Sequence, residues 1–167
     1  MTGTASLSTS TDGVEGGVGL TALLVAAARA IETHRPDSLA QDVYAEHFVR
    51  GAEASAHWPV RPDQAPGGDT SPLWGRFARY FGLRTRVLDD FLLRSVRTAG
   101  ARQVVLLGAG LDARAFRLDW PSDSVIFEID REESSRSNTG SSTPCRPNRG
   151  RSVSRSGSTC ATTGPVR

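Results

Sequence analysis

Two short apolar runs with a glycine turn between them constrain this chain more than any other feature. Gln103 to Leu107, QVVLL, is apolar and β-branched and runs directly into Gly108-Ala109-Gly110. Ser124 to Asp130, SVIFEID, repeats the pattern and ends on an acid. An apolar run of this length before a turn marks a buried parallel strand, because a strand covered on both faces has no polar side with which to alternate. Between the two runs lie a short helical segment around Asp112 to Leu118 and a turn at Trp120-Pro121. Strand, glycine loop, helix, strand is the opening unit of a doubly wound α/β sheet, whose ligands sit beyond the carboxyl ends of the strands.

The loop carries chemistry as well as shape. Gly108 and Gly110 have no side chains to keep a ligand away from the backbone N–H groups of the turn. Asp130 ends the second strand 20 residues after Gly110, the place from which a carboxylate accepts the hydroxyl hydrogens of a ribose. That spacing suits a nicotinamide dinucleotide as well as S-adenosylmethionine. The loop GAGLDA discriminates between them: it offers Ala113 where a dinucleotide fingerprint wants its third small residue, and it puts Asp112 where a pyrophosphate would lie. A carboxylate there repels phosphate and tolerates a cationic sulfonium with an ammonium group.

Upstream, residues 1–17 are Ser, Thr and Gly with little to bury and read as a disordered arm. Residues 18–100 read as a helical segment. Leu20, Leu23, Leu24, Ala27 and Ile31 recur at helical spacing until Pro36. Ser38 and Gln41 fit a capping box for a second helix through Leu39, Val43 and Phe48 to Gly51. Residues 57–72 read as a loop. A long helix is expected from Leu73 to Thr98, with Leu73, Phe77, Phe81, Leu88, Phe91 and Leu92 on its apolar face, a break at Gly82 and an end at Gly100.

Residues 101–133 then begin the nucleotide-binding sheet, and at Ser134 the composition changes. Up to Glu133 there are eighteen acids against fourteen arginines; residues 134–167 hold six arginines, no acid and no aromatic residue. The formal charge of +2 therefore joins an acidic body to a basic tail and does not describe a nucleic-acid-binding face. Cys145 and Cys160 lie in that tail without metal-ligand or CxxC spacing, and His34, His47 and His57 form no metal or triad pattern. The apolar run from Leu20 to Ala28 is too short to cross a bilayer. No metal site, no membrane partner and a cytoplasmic setting are the expectations.

The string QVVLLGAGLDARAFRLDWP followed by VIFEID resembles the leucine carboxyl methyltransferase-like family, in particular its actinobacterial branch. The resemblance extends upstream through AAARAIETHRPDSLAQDVYAEHFV and RTRVLDDFL and covers roughly residues 18 to 133. It implies a Rossmann-like class I methyltransferase fold, here N-terminal helices plus the first βαβ unit, with S-adenosyl-L-methionine as cofactor. It implies too that Gly108, Ala109 and Gly110 form the cofactor loop beside Asp112 and that Asp130 is the ribose-binding acid. By the same resemblance Arg84 meets the methionine carboxylate, and Arg29 is a second basic contact. Arg114, Arg117 and Glu128 are read as an internal ion pair bracing the loop. The implied reaction is methyl transfer to an oxygen or carboxylate of an unidentified acceptor. A direct displacement at a sulfonium carbon needs positioning more than a nucleophilic side chain, so no catalytic residue is assigned. The competing readings are an NAD(P)-dependent oxidoreductase fragment and a non-catalytic truncated product.

The tail fits a shifted reading frame. Gly157 to Pro165 can be encoded by GGG TCG ACC TGC GCG ACG ACT GGC CCN, which from its third base reads VDLRDDWP, a string resembling the family's adenine-side motif. The same shift just after Glu133 permits VLAFKH, which resembles the family's continuation beyond the second strand. Residues 134–167 are accordingly expected to be an out-of-frame disordered tail. Sequencing the gene across the codons of Glu132 to Ser134 checks this: the expected codons permit both strings one base out of frame, and codons incompatible with them rule it out.

Overall fold

A computed structural model describes residues 17–130 and 152–156. Its helices are α1 (Gly17–Thr33), α2 (Ala45–Gly51), α3 (Trp74–Arg97) and the single turn α4 (Arg114–Arg117); its strands are β1 (Gln103–Leu107), β2 (Val125–Ile129) and β3 (Ser152–Ser156). The stretch between α2 and α3, expected as plain loop, contains two 3-10 turns, Pro62–Gln64 and Gly68–Thr70. No helix among the described residues is long and apolar enough to cross a membrane.

All strands are parallel, in the order β1-β2-β3, an arrangement compatible with a doubly wound sheet. Gln103 pairs with Val125 and Leu107 with Ile129, so β1 and β2 end level. Gly108 and Asp130, the next residue of each strand, are thereby carried to the same end of the sheet. β3 falls within the stretch read as an out-of-frame tail: Ser152–Ser156 lies beside β2, with Ile126 opposite Val153. A ladder is made by backbone groups, so an open strand edge accepts a neighbour whose side chains carry no apolar pattern. The rest of the tail, and the arm before Gly17, lie outside the described residues.

α1 is buried almost all round. Leu23, Ala26, Ala27, Ala28, Ala30 and Ile31 are all at most 1% exposed, and Leu23, Ala26, Ala27 and Ala30 build one apolar cluster with Ala45, Val49, Val60 and Leu111. The second cluster lies under the sheet, where Val104 and Ile126 meet Val96 at the end of α3, Ala115, Leu118 and Trp120. Leu111 belongs to the glycine loop, so the loop's side chain is packed into the helical layer rather than the sheet layer.

α3 corrects two expectations. It runs unbroken through Gly82, and the residues it buries are Gly75, Ala78, Gly82, Thr85, Asp89 and Val96, while Leu73 and Phe91 are exposed. These buried positions repeat at three and four residues, one seam of the helix, and small side chains there let the alanine-rich α1 come close. The reason Gly82 is glycine is Glu32 of α1. A Cβ at position 82 would overlap the Glu32 side chain, which is fully buried and held by Arg35, Arg79 and the backbone N–H of Leu39.

The capping box at Ser38 is not formed either. Ser38 Oγ donates to the carbonyl of Ala40, and α2 starts only at Ala45. Asp42 sets that start: its N–H donates to Thr33 Oγ1, its Oδ1 accepts from the N–H of Tyr44, and its carboxylate is drawn to Arg29. The chain between Pro36 and Asp42 serves to bring this acid to α1, which continuous helix would not do.

Gly82→Ala tests the seam. Overlap with an immobilised buried side chain is expected to lower stability by about 2 kcal/mol, read as a fall in the urea midpoint, whereas a helix that merely tolerated glycine here would gain from alanine.

Candidate functional site

The turn after β1 is built by two glycines in left-handed conformation, Gly108 at φ 61° and Gly110 at φ 50°, where side chains are strained. The N–H of Gly108 donates to the carbonyl of Ile129 at 2.7 Å, and that of Asp112 to the carbonyl of Ala109 at 2.7 Å. Gly110 donates its N–H to the Asp130 carboxylate. The glycine loop and the acidic strand end, 20 residues apart, are therefore one hydrogen-bonded unit.

Behind the loop runs a chain of alternating charges. Arg29 of α1 pairs with Asp42 at 3.1 Å; Arg117 lies 3.9 Å from Asp42 and grips both oxygens of Asp89 on α3 at 2.6 and 2.8 Å. Arg114 meets Asp89 through Nε at 2.8 Å and also pairs with Asp112 of the loop. Arg29 closes the circuit by donating to the carbonyl of Leu111 at 2.7 Å. Three arginines and three aspartates thus form a neutral ring, all largely buried, that joins α1, the α1–α2 connection, α3, α4 and the loop. Burial lowers the Arg29 pKa, with Asp42 opposing it. Burial lowers that of Arg114 too, but Asp112 and Asp89 outweigh it, and the net shift is upward.

Between α1, α3 and the loop opens a cleft of about 540 Å³. Its lining includes Gly108, Ala109, Gly110, Asp112, Asp130 and Arg84, the residues that the sequence assigned to a cofactor. Arg84 projects from α3 with its guanidinium 5.9 Å from the Phe81 ring centre, and among the described residues no acid pairs with it. It is the cation of the cleft that the ring does not engage.

Some sequence assignments change on this geometry. Arg29 lines the cleft but is buried and bonded to Asp42 and Leu111, so it holds the loop. Asp112 faces the cleft as half of an ion pair, its Oδ1 also accepting from the N–H of Arg114 at 2.8 Å. Arg114 and Arg117 do brace the loop, but their common acid is Asp89, not Glu128. Glu128 sits on β2 opposite Leu106, whereas both arginines point to α3. Asp42 and Asp89 were missed, and the signal available for Asp89 was an acid at a buried seam position of an amphipathic helix. His34 pairs with Glu46 at 2.9 Å, and no cluster of potential metal ligands occurs among the described residues.

Comparison with known proteins gives one family match: the model described as Leucine carboxyl methyltransferase covers residues 22–138. A protein of Streptomyces coelicolor is 88% identical over 132 residues, which are 79% of this chain and 44% of that protein. Relatives from Saccharopolyspora erythraea and Rhodococcus jostii are 45% and 47% identical over 69% and 70% of this chain, and 38% and 37% of their own. All three carry the name "Putative S-adenosyl-L-methionine-dependent methyltransferase". The chain spans about two fifths of the length of these relatives.

The ring yields a test in which position matters more than charge. Asp89→Ala leaves two buried guanidiniums short of an acid and is expected to cost about 3 kcal/mol in chemical denaturation. Asp90→Ala, one residue away, removes only an exposed pair with Arg86 and is expected to leave the midpoint in place. Equal effects would show that the ring holds nothing together.

Proposed function

Since this chain belongs to the leucine carboxyl methyltransferase family, we propose that it binds S-adenosyl-L-methionine in the cleft and forms the cofactor-binding portion of a methyltransferase. The observation that carries this reading is the bonded unit of Gly110 and Asp130 at the level ends of β1 and β2, facing a cleft whose other wall carries Arg84. The residues fit such a ligand: an acid for ribose hydroxyls, left-handed glycines that let ligand atoms reach the backbone, and a cation for an amino-acid carboxylate.

When bound, the cofactor supplies a methyl group on a cationic sulfur. Asp130 orients the ribose by accepting from its hydroxyls, and its bond to Gly110 fixes that carboxylate before the ligand arrives. Arg84 receives the carboxylate at the far end of the ligand. Asp112, held by Arg114, occupies the place in the loop where a pyrophosphate would lie. Asp130 at the ribose and Arg84 at the amino-acid carboxylate would thus hold the cofactor on either side of its sulfonium and orient it toward the acceptor, which we read as a small-molecule or carboxylate-bearing compound methylated on oxygen. Orientation of this kind supplies a large share of the rate in a displacement between two bound partners.

Titration with S-adenosylhomocysteine and with NAD, followed by thermal shift and calorimetry, tests the reading. S-adenosylhomocysteine is expected to raise the melting temperature and NAD to leave it unchanged; stabilisation by NAD alone overturns the proposal. Asp130→Asn is expected to weaken S-adenosylhomocysteine binding by about tenfold or more, the scale of a hydrogen bond to a charged group.

A further inference from the structure

Thr85 carries an unexplained hydroxyl. It sits in the middle of α3, is 2% exposed, lines the cleft one residue after Arg84, and its Oγ1 has no hydrogen-bond partner. A threonine in a helix ordinarily settles its hydroxyl on the carbonyl four residues back. This chain follows that habit elsewhere: Thr33 donates to Arg29 at 2.7 Å, Ser95 to Phe91 at 2.8 Å and Thr98 to Arg94 at 2.6 Å. Thr85 does not, although the carbonyl of Phe81 stands in the same relation to it. A buried hydroxyl without a partner is costly, and valine would fill the same volume without that cost.

Resting on the reading of the cleft given above, we propose that Thr85 is a specificity-determining residue for the amino-acid end of the cofactor, its hydroxyl donating to the carboxylate that Arg84 neutralises. The arginine supplies charge from a long, mobile side chain. The threonine supplies one short donor on a fixed helix position, and so selects the placement of the carboxylate where Arg84 selects its sign.

Calorimetry on the full chain tests this with S-adenosylhomocysteine and with its analogue lacking only the carboxylate, 5′-deoxy-5′-(3-aminopropylthio)adenosine. Thr85→Val is expected to weaken S-adenosylhomocysteine binding about tenfold and to leave the analogue's affinity unchanged, while Thr85→Ser keeps wild-type affinity for both. Unchanged S-adenosylhomocysteine binding in Thr85→Val, equal loss for both ligands, or equal loss in Thr85→Ser overturns the assignment and leaves the cofactor reading standing. Wild-type protein that binds neither ligand overturns the cofactor reading itself, and the assignment with it. If Thr85→Val does not fold, Thr85→Ala against Thr85→Ser decides by the same comparison.

Discussion

The ring of Arg29, Asp42, Arg117, Asp89, Arg114 and Asp112 is the interaction on which the rest of this structure depends. Six charges are withdrawn from water, and each would be very costly alone. Alternation makes the arrangement tolerable: every arginine touches a carboxylate, and the set is neutral. Such a ring contributes little net stability compared with apolar packing of the same volume, and removing any member leaves a buried charge uncompensated. What it provides is position. Its members come from α1, the segment before α2, α3, the glycine loop and α4, so the ring closes only when all of these are in register.

The packing of α1 against α3 follows the same logic one layer away. Glu32 is buried to 0% exposure and is acceptable there because Arg35, Arg79 and the N–H of Leu39 surround it. Its side chain needs room, and glycine at position 82 gives it. Small residues along the α3 seam and alanines along α1 bring the two backbones close enough for the charged contacts to be short. Sequence hydropathy points the wrong way in such a helix: the large apolar residues Leu83, Val87 and Phe91 are more than half exposed, and up to Val96 near its end the buried stripe is glycine, alanine, threonine and aspartate.

This contrast explains what could be read from the sequence. The strands, the turn and Asp130 were legible because each is a local pattern: an apolar run, a pair of glycines, an acid at a strand end. Their parallel order was legible because strand, glycine loop, helix, strand is the opening unit of a doubly wound sheet. The ring was not, since the contacts that tie α1 and α3 to the loop and α4 span 25 to 82 residues of chain, and no spacing rule links Asp42 or Asp89 to the loop. Ser38 and Gln41 satisfied a local rule for a helix start, and the distant claim of Arg29 on Asp42 overrode it. β3 was illegible for the opposite reason, because a strand added at an open edge relies on backbone groups that every sequence has.

The loop is consequently set by the helices more than by the sheet. Its side chain Leu111 lies in the helical cluster, its backbone carbonyl is held by Arg29, and its acid is held by Arg114; the N–H groups of Gly108, Ala109 and Gly110 connect it to β2 and Asp130. The sheet is poorly suited to the task, since Val105, Leu107 and Ile129 leave one of its faces open, and a parallel sheet draws its rigidity from cover on both faces. A loop anchored to α1 and α3 keeps its left-handed glycines in place whatever that open face does.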